Sequence, residues 1–168
     1  MTRRQWLGLL SSLGIASATG RAAHAAPTAT GKAEFPRIEP LLLTDAQWRQ
    51  RLTPAQYYVL REEGTERAGT SPLNAEKRKG VFQCAGCELP LFSSSTKYES
   101  GTGWPSFFDT LPGAVKTKRD YGLGLPRTEY HCARCGGHHG HVFNDGPKPT
   151  GLRYCNNGVA LKFVPEAA

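Results

Sequence analysis

Five cysteines carry most of the reactive chemistry in this sequence, and their spacing divides them into four and one. Cys84-Ala85-Gly86-Cys87 and Cys132-Ala133-Arg134-Cys135 are both C-x-x-C, the second followed directly by Gly136. Each such turn offers two thiolates, and two turns complete the tetrahedron that zinc prefers. Forty-four residues separate the pairs, more than in a compact zinc ribbon. A metal here would clip two distant hairpins together and remove freedom from the unfolded chain. One structural zinc on Cys84, Cys87, Cys132 and Cys135 is the expected cofactor. Two other readings stay open: a redox-active C-x-x-C, although the βαβ context of thioredoxin-like folds is missing, and disulfides in an oxidising compartment.

Cys155, in "GLRYCNNG", has no partner left. On an extended strand Arg153, Cys155 and Asn157 share one face, and Leu152, Tyr154 and Asn156 the other. Arg153 would then place a permanent positive charge near the thiol and favour the nucleophilic thiolate at neutral pH. Asn157 would offer an amide. The plain alternative is a buried, inert cysteine beside an Asn157-Gly158 turn. "CGGHHGHVF" supplies His138, His139 and His141, able to exchange protons near neutral pH. His138 and His141 would face oppositely on a straight strand, but Gly136, Gly137 and Gly140 allow a bend that brings them together. Further metal ligation or surface exposure are the other uses of these rings. Cysteine with histidine is the generic pairing for activated-thiol chemistry. Trp104, between Gly103 and Pro105, could present a flat indole to a small apolar group such as a methyl, or be ordinary core.

These groups need elements to hold them. Thr44-Asp45-Ala46-Gln47 and Thr53-Pro54-Ala55-Gln56 both fit capping boxes, the second with Pro at the first helical position, and predict two short helices, the second ending near Gly64. Beyond Gly64 the chain breaks into short segments punctuated by Gly and Pro: "VFQC", "SFFD", "AVKT", "RTEYHC", "GHVF", "LRYC", "VALKF". These predict small antiparallel sheets with long loops.

The first 25 residues read as an export signal rather than as fold: Arg3-Arg4, an uncharged apolar stretch, then Ala23-His24-Ala25. "TRRQWLGLL" is similar to a twin-arginine signal. The expectation is cleavage after Ala25, export to a bacterial periplasm already folded, and no membrane segment in the mature form. Ala26 to residue 43 reads as a flexible lead-in, and 44–168 as one domain. Without Arg3, Arg4 and Arg21 the formal charge of +7 falls to +4, with the bases scattered. Lys77-Arg78-Lys79 reads as a solvated loop, and nothing calls for nucleic acid.

Taken in order, "VLREEGTERAGTSPLN", "GVFQCAGCELPLF", "KYESGTGWPSFF" and "CARCGGHHGHVFNDGPKPTGLRYCNNGVALKF" resemble the methionine sulfoxide reductases of the B type, which reduce the R epimer. The resemblance runs from about Asp45 to Val164. It implies a mainly β fold of two antiparallel sheets with short N-terminal helices, a zinc site of four cysteines, and Cys155 as nucleophile. Trp104, His138, His141, Arg153 and Asn157 would line the site, with Phe143 at a further pocket position. In the implied mechanism Trp104 packs the substrate methyl and fixes chirality at sulfur. Cys155 attacks the sulfoxide sulfur, the histidines and Asn157 help protonate the departing oxygen, and Cys155 ends as sulfenic acid. Substrates would be oxidised proteins or peptides, as befits repair after oxidative stress.

The sequence departs from that pattern in three places. Thr102 stands where many members carry a resolving cysteine, so a thioredoxin-like protein or small thiol is expected to reduce Cys155 directly. His139 stands where an apolar residue is common and is expected to face solvent. Gly158 replaces a common Ser. Two other functions compete: a zinc-stabilised, non-catalytic binding module, which would not need Cys155, Trp104 and the histidines together, and a periplasmic metal carrier using the histidines.

Overall fold

Thr44 and Thr53 open the helices as their sequences predict. Each hydroxyl accepts the backbone N–H three residues on, at 3.3 and 3.2 Å, and Gln47 and Gln56 return the bond to the threonine N–H. Helix α1 spans Asp45–Arg51 and α2 spans Pro54–Glu62, where Glu63 in the left-handed region stops it. The computed structural model describes residues 37–122 and 124–167, so the expected signal segment lies outside the described residues. Residues 37–43 of the expected lead-in have no regular structure, but Leu41 and Leu43 pack against the core, and the Leu41 N–H donates to the Arg134 carbonyl.

Nine strands follow among the described residues: β1 Gly80–Cys84, β2 Pro90–Ser93, β3 Lys97–Tyr98, β4 Ser106–Phe107, β5 Val115–Asp120, β6 Arg127–Cys132, β7 His138–Phe143, β8 Arg153–Asn156 and β9 Leu161–Pro165. All pair antiparallel, in a small sheet ordered β2-β1-β9 and a large one ordered β3-β4-β8-β7-β6-β5. The mainly β reading with two antiparallel sheets therefore holds.

The core lies between the sheets. Phe82 and Phe92 of the small sheet meet Phe107 of the large one at ring-centre distances of 4.9 and 4.2 Å, with Tyr130 edge-on to Phe92. Alternation on β6 explains what lands where. Tyr130 and Cys132 are fully buried toward the small sheet, so Arg127, Glu129 and His131 point to the opposite face. Edge strand β5 carries Lys116, Lys118 and Arg119, which discourages pairing with another chain.

One register row crosses all six strands of the large sheet. Tyr98 pairs Ser106, Ser106 pairs Cys155, Cys155 pairs His141, His141 pairs Glu129, and Glu129 pairs Lys118. Directly paired residues share a face. The sheet therefore sets a thiol, an imidazole, a carboxylate and an ammonium in one line on the face away from the core.

Candidate active site

The two C-x-x-C turns close the β1–β2 and β6–β7 hairpins and meet between the sheets. All four sulfurs lie within 4.8 Å of one another, with Cys84 and Cys135 at 3.6 Å and Cys87 and Cys132 at 3.5 Å. A disulfide needs about 2.05 Å, and all five cysteines are free. Tetrahedral thiolates at about 2.3 Å from zinc stand about 3.8 Å apart, which suits this cluster. Neighbouring sulfurs and burial push Cys84 and Cys132 far above the ordinary thiol range, so the four would ionise together only around a cation. Three guanidinium groups surround it: Arg51, Arg61 and Arg134 donate to the carbonyls of Gly86, Cys135 and Cys87. A metal-held tetrathiolate is anionic, and that shell of cations fits it.

Cys155 is half-buried at a separate cavity of about 140 Å³, walled by Thr65, Trp104, Arg127, Gly140, His141, Phe143, Asn156 and Asn157. Four larger grooves among the described residues, of about 250, 330, 540 and 630 Å³, have no cysteine or histidine in their walls, so the reactive groups converge on the smallest. Five of the residues singled out from the sequence thus meet: Cys155, Trp104, His141, Phe143 and Asn157. His138 does not line the cavity. It is 3% exposed and stands behind His141, ring centres 5.6 Å apart. Arg153 lies over the Phe143 ring at 4.4 Å.

The two histidines converge because of a bulge. Tyr130 pairs Gly140 while His131 pairs His138, leaving His139 as the extra residue. Gly140 makes the close strand approach possible, since a Cβ there would sit 1.9 Å from the Cys155 carbonyl oxygen. The bulge turns His139 inward. It is fully buried, its ring stacked 6.4 Å from Tyr130 and its Nδ1 3.3 Å from Asn156 Oδ1. The expectation that His139 faces solvent is thus corrected: burial holds its pKa down at about 4. Gly158 also gains an account, because a Cβ there would come within 1.9 Å of Ser71 Oγ.

Two further expectations change. Burial pushes the Cys155 thiol up, outweighing the charge of Arg153 and the hydrogen bonds from Thr102 and Arg153. Arg153 spends its guanidinium on Asp145 through two 2.8 Å contacts, which weakens its pull on the thiol. Burial thus opposes the thiolate that the arginine alone would favour. Asn157, expected to help protonate the departing oxygen, has both amide heteroatoms engaged: Oδ1 accepts the Glu66 N–H at 2.9 Å and Nδ2 donates to the His139 carbonyl at 3.0 Å. It holds the site's shape.

Sequence reasoning missed four charged residues. Asp120 Oδ2 lies 2.7 Å from His141 Nε2 and 2.5 Å from Arg127, and its carboxyl is held well below the usual range by the Gly122 N–H and these partners. His141 itself is pushed down by burial, against the pull of Asp120. Arg127 lines the cavity. Glu129 is buried against His138 and Lys118. Glu66 knits the wall together: its carbonyl accepts the Trp104 indole N–H at 3.1 Å and its carboxylate accepts the Gly158 and Val159 N–H groups. For Arg127 and Glu129 a signal existed: charges two apart in "RTEYHC" mark the non-core face of a strand. Glu66 and Asp120 gave no local signal.

The family described as the SelR domain matches residues 52–165. Three proteins, each named peptide methionine sulfoxide reductase MsrB, align over 73% of this chain. The one from Agrobacterium fabrum is 56% identical over 123 residues, 91% of that protein. Those from Leptospira interrogans and Thiobacillus denitrificans are 54% and 55% identical over 124 residues, 95% and 94% of their lengths.

Proposed function

The chain belongs to the SelR-domain family of methionine-R-sulfoxide reductases of the B type, and from that premise we propose that Cys155 reduces the R epimer of methionine sulfoxide in oxidised proteins, passing through a sulfenic acid. The observation that carries this reading is the half-buried Cys155 thiol at a cavity walled by an indole, a phenyl ring and an imidazole. Its 140 Å³ equals the share of roughly four or five waters. That is room for a sulfoxide and its methyl, with the substrate backbone left outside. Trp104, held by the Glu66 carbonyl, and Phe143 offer flat faces to the methyl. That contact would fix which epimer aims its sulfur at Cys155.

The step balances without an outside proton. The Cys155 sulfur attacks the substrate sulfur to form a transient S–S bond while the thiol hydrogen passes to the sulfoxide oxygen through His141. The hydroxyl then moves from the substrate sulfur to the Cys155 sulfur as the S–O and S–S bonds break, and methionine leaves. Oxygen and hydrogen end on Cys155 as S–O–H; the substrate sulfur gains two electrons and the cysteine sulfur loses two. Asp120 orients His141 for that transfer, with His138 behind it.

Recycling uses two external thiols. The first forms a mixed disulfide with Cys155 and releases water; the second frees Cys155 as the donor disulfide. Thr102, where a resolving cysteine could stand, brings a hydroxyl to the thiol, bonded in turn to Ser100 Oγ at 2.8 Å. The other four cysteines belong to the cluster. A thioredoxin-like protein or small thiol suits this role. The metal at that cluster is zinc in this reading, as the sulfur-only donor set favours, and it supplies only cross-linking.

Export through the twin-arginine route to the periplasm remains part of the proposal, resting on Arg3-Arg4 and Ala23-His24-Ala25; export undiminished by lysine at both arginines would sink it. Among the described residues no helix is long and apolar enough to cross a membrane. The catalytic reading is tested by Cys155→Ser, expected to abolish single-turnover reduction of a methionine-R-sulfoxide peptide with metal content unchanged. Activity retained in that variant would restore the non-catalytic binding module as the better reading.

A further inference from the structure

Glu129 is a carboxylate where a sheet would rather place an apolar side chain. On β6 it is 2% exposed, and burying an ionised carboxylate is costly unless partners repay it. Its partners are specific. One oxygen lies 3.1 Å from Lys118 Nζ. The other lies 3.1 Å from His138 Nδ1, an ion-pair distance at an angle short of a straight hydrogen bond. His138 is equally buried and packs edge-on to His141, whose Nε2 meets Asp120, itself paired with Arg127. Lys118 also reaches Glu63 at 2.5 Å near the surface. Glu129 sits directly across from His141 in register, two strands from Cys155.

We propose that Glu129 is a positioning residue for sulfoxide reduction: its carboxylate keeps a proton on His138 Nδ1 and so leaves Nε2 with the lone pair. A neutral imidazole has one donor and one acceptor nitrogen, and the group facing one of them decides which is which. The inference rests on the proposed role of His138 behind His141. A ring locked in one tautomer can pass the proton that His141 handles; a ring free to take either form spends part of its time with no acceptor there. Lys118 brings a positive charge to Glu129 under cover.

The test joins a spectroscopic readout to kinetics in the metal-loaded protein. Nitrogen-15 NMR of the histidine rings at neutral pH should find a proton on His138 Nδ1. Glu129→Gln should shift His138 toward a mixture of tautomers and lower kcat by about 10- to 100-fold, with KM for a methionine-R-sulfoxide peptide within about twofold. Glu129→Asp should restore the Nδ1 proton and part of the rate. A bare Nδ1 in the native protein, an unchanged kcat in Glu129→Gln, or Glu129→Asp no better than Glu129→Gln would each overturn the proposal. Should Glu129→Gln not fold, the native tautomer and the Glu129→Asp rate decide alone. His138→Ala separates the layers. An unimpaired His138→Ala removes the role of His138 and this inference with it; a slow His138→Ala beside a normal Glu129→Gln removes only the inference.

Discussion

A thiol that rests protonated must give up its hydrogen within the step in which it attacks, so its free reactivity and its catalytic reactivity should part company. Burial pushes the Cys155 thiol up from an ordinary value near 9. The raised direction favours the protonated form at neutral pH. Alkylation of the free enzyme by iodoacetamide should therefore be slow at pH 7 and climb about tenfold per pH unit through pH 9. Arg153→Met, which removes the nearest cation, should slow it further at every pH in that range. A rate already flat above pH 7 would show that the charge of Arg153 prevails over burial. The sequence showed the residues of this contest but not its outcome. Arg153 and Cys155 are two apart, so their shared face was legible; the depth of the site and the claim of Asp145 on the guanidinium come only with the fold.

At the scale of elements, local rules worked wherever the chain decides by itself. Both capping boxes form, and the strand segments fall close to where alternation and turn residues put them. The β7 bulge shows the limit. Glycines around His138 and His141 hinted at a bend, yet which residue would be extruded depends on pairing with β6 and on Tyr130 waiting beneath. Burial of His139 has a thermodynamic consequence. Its folded pKa of about 4 lies below the ordinary 6.5, so the unfolded chain binds the proton first. Stability should be fully present above about pH 6.5 and decline as pH falls toward 4, by on the order of 3 kcal/mol. His139→Leu should flatten that slope in denaturant melts between pH 6.5 and 4, while costing about 1–3 kcal/mol at neutral pH because Asn156 Oδ1 loses its partner. An unaltered slope would assign the acid loss to other groups.

For the whole molecule, the cysteine cluster joins what the core only presses together. Cys84 and Cys87 belong to the small sheet's hairpin, Cys132 and Cys135 to the large sheet's, and both helices send an arginine to the turns. The spacing of the cysteines made the cross-link legible at once; the three arginines around it were not, because they arrive from separate elements. A cross-link closing a 44-residue loop is worth about 4 kcal/mol of chain entropy. Stripping the metal with a chelator should lower Tm by on the order of 10–20 °C. A Tm that does not move would leave the four thiols without a structural role.

In the proposed reaction one sulfur takes the oxygen and keeps it until an outside thiol arrives. Mass spectrometry of the reduced, metal-loaded protein after one turnover with a methionine-R-sulfoxide peptide, in the absence of thiols, tests this most directly. One oxygen is expected on Cys155, trapped as a sulfenic acid adduct, with the other four cysteines unchanged. An unmodified Cys155 beside reduced peptide, or a disulfide joining Cys155 to Cys84, Cys87, Cys132 or Cys135, would contradict it.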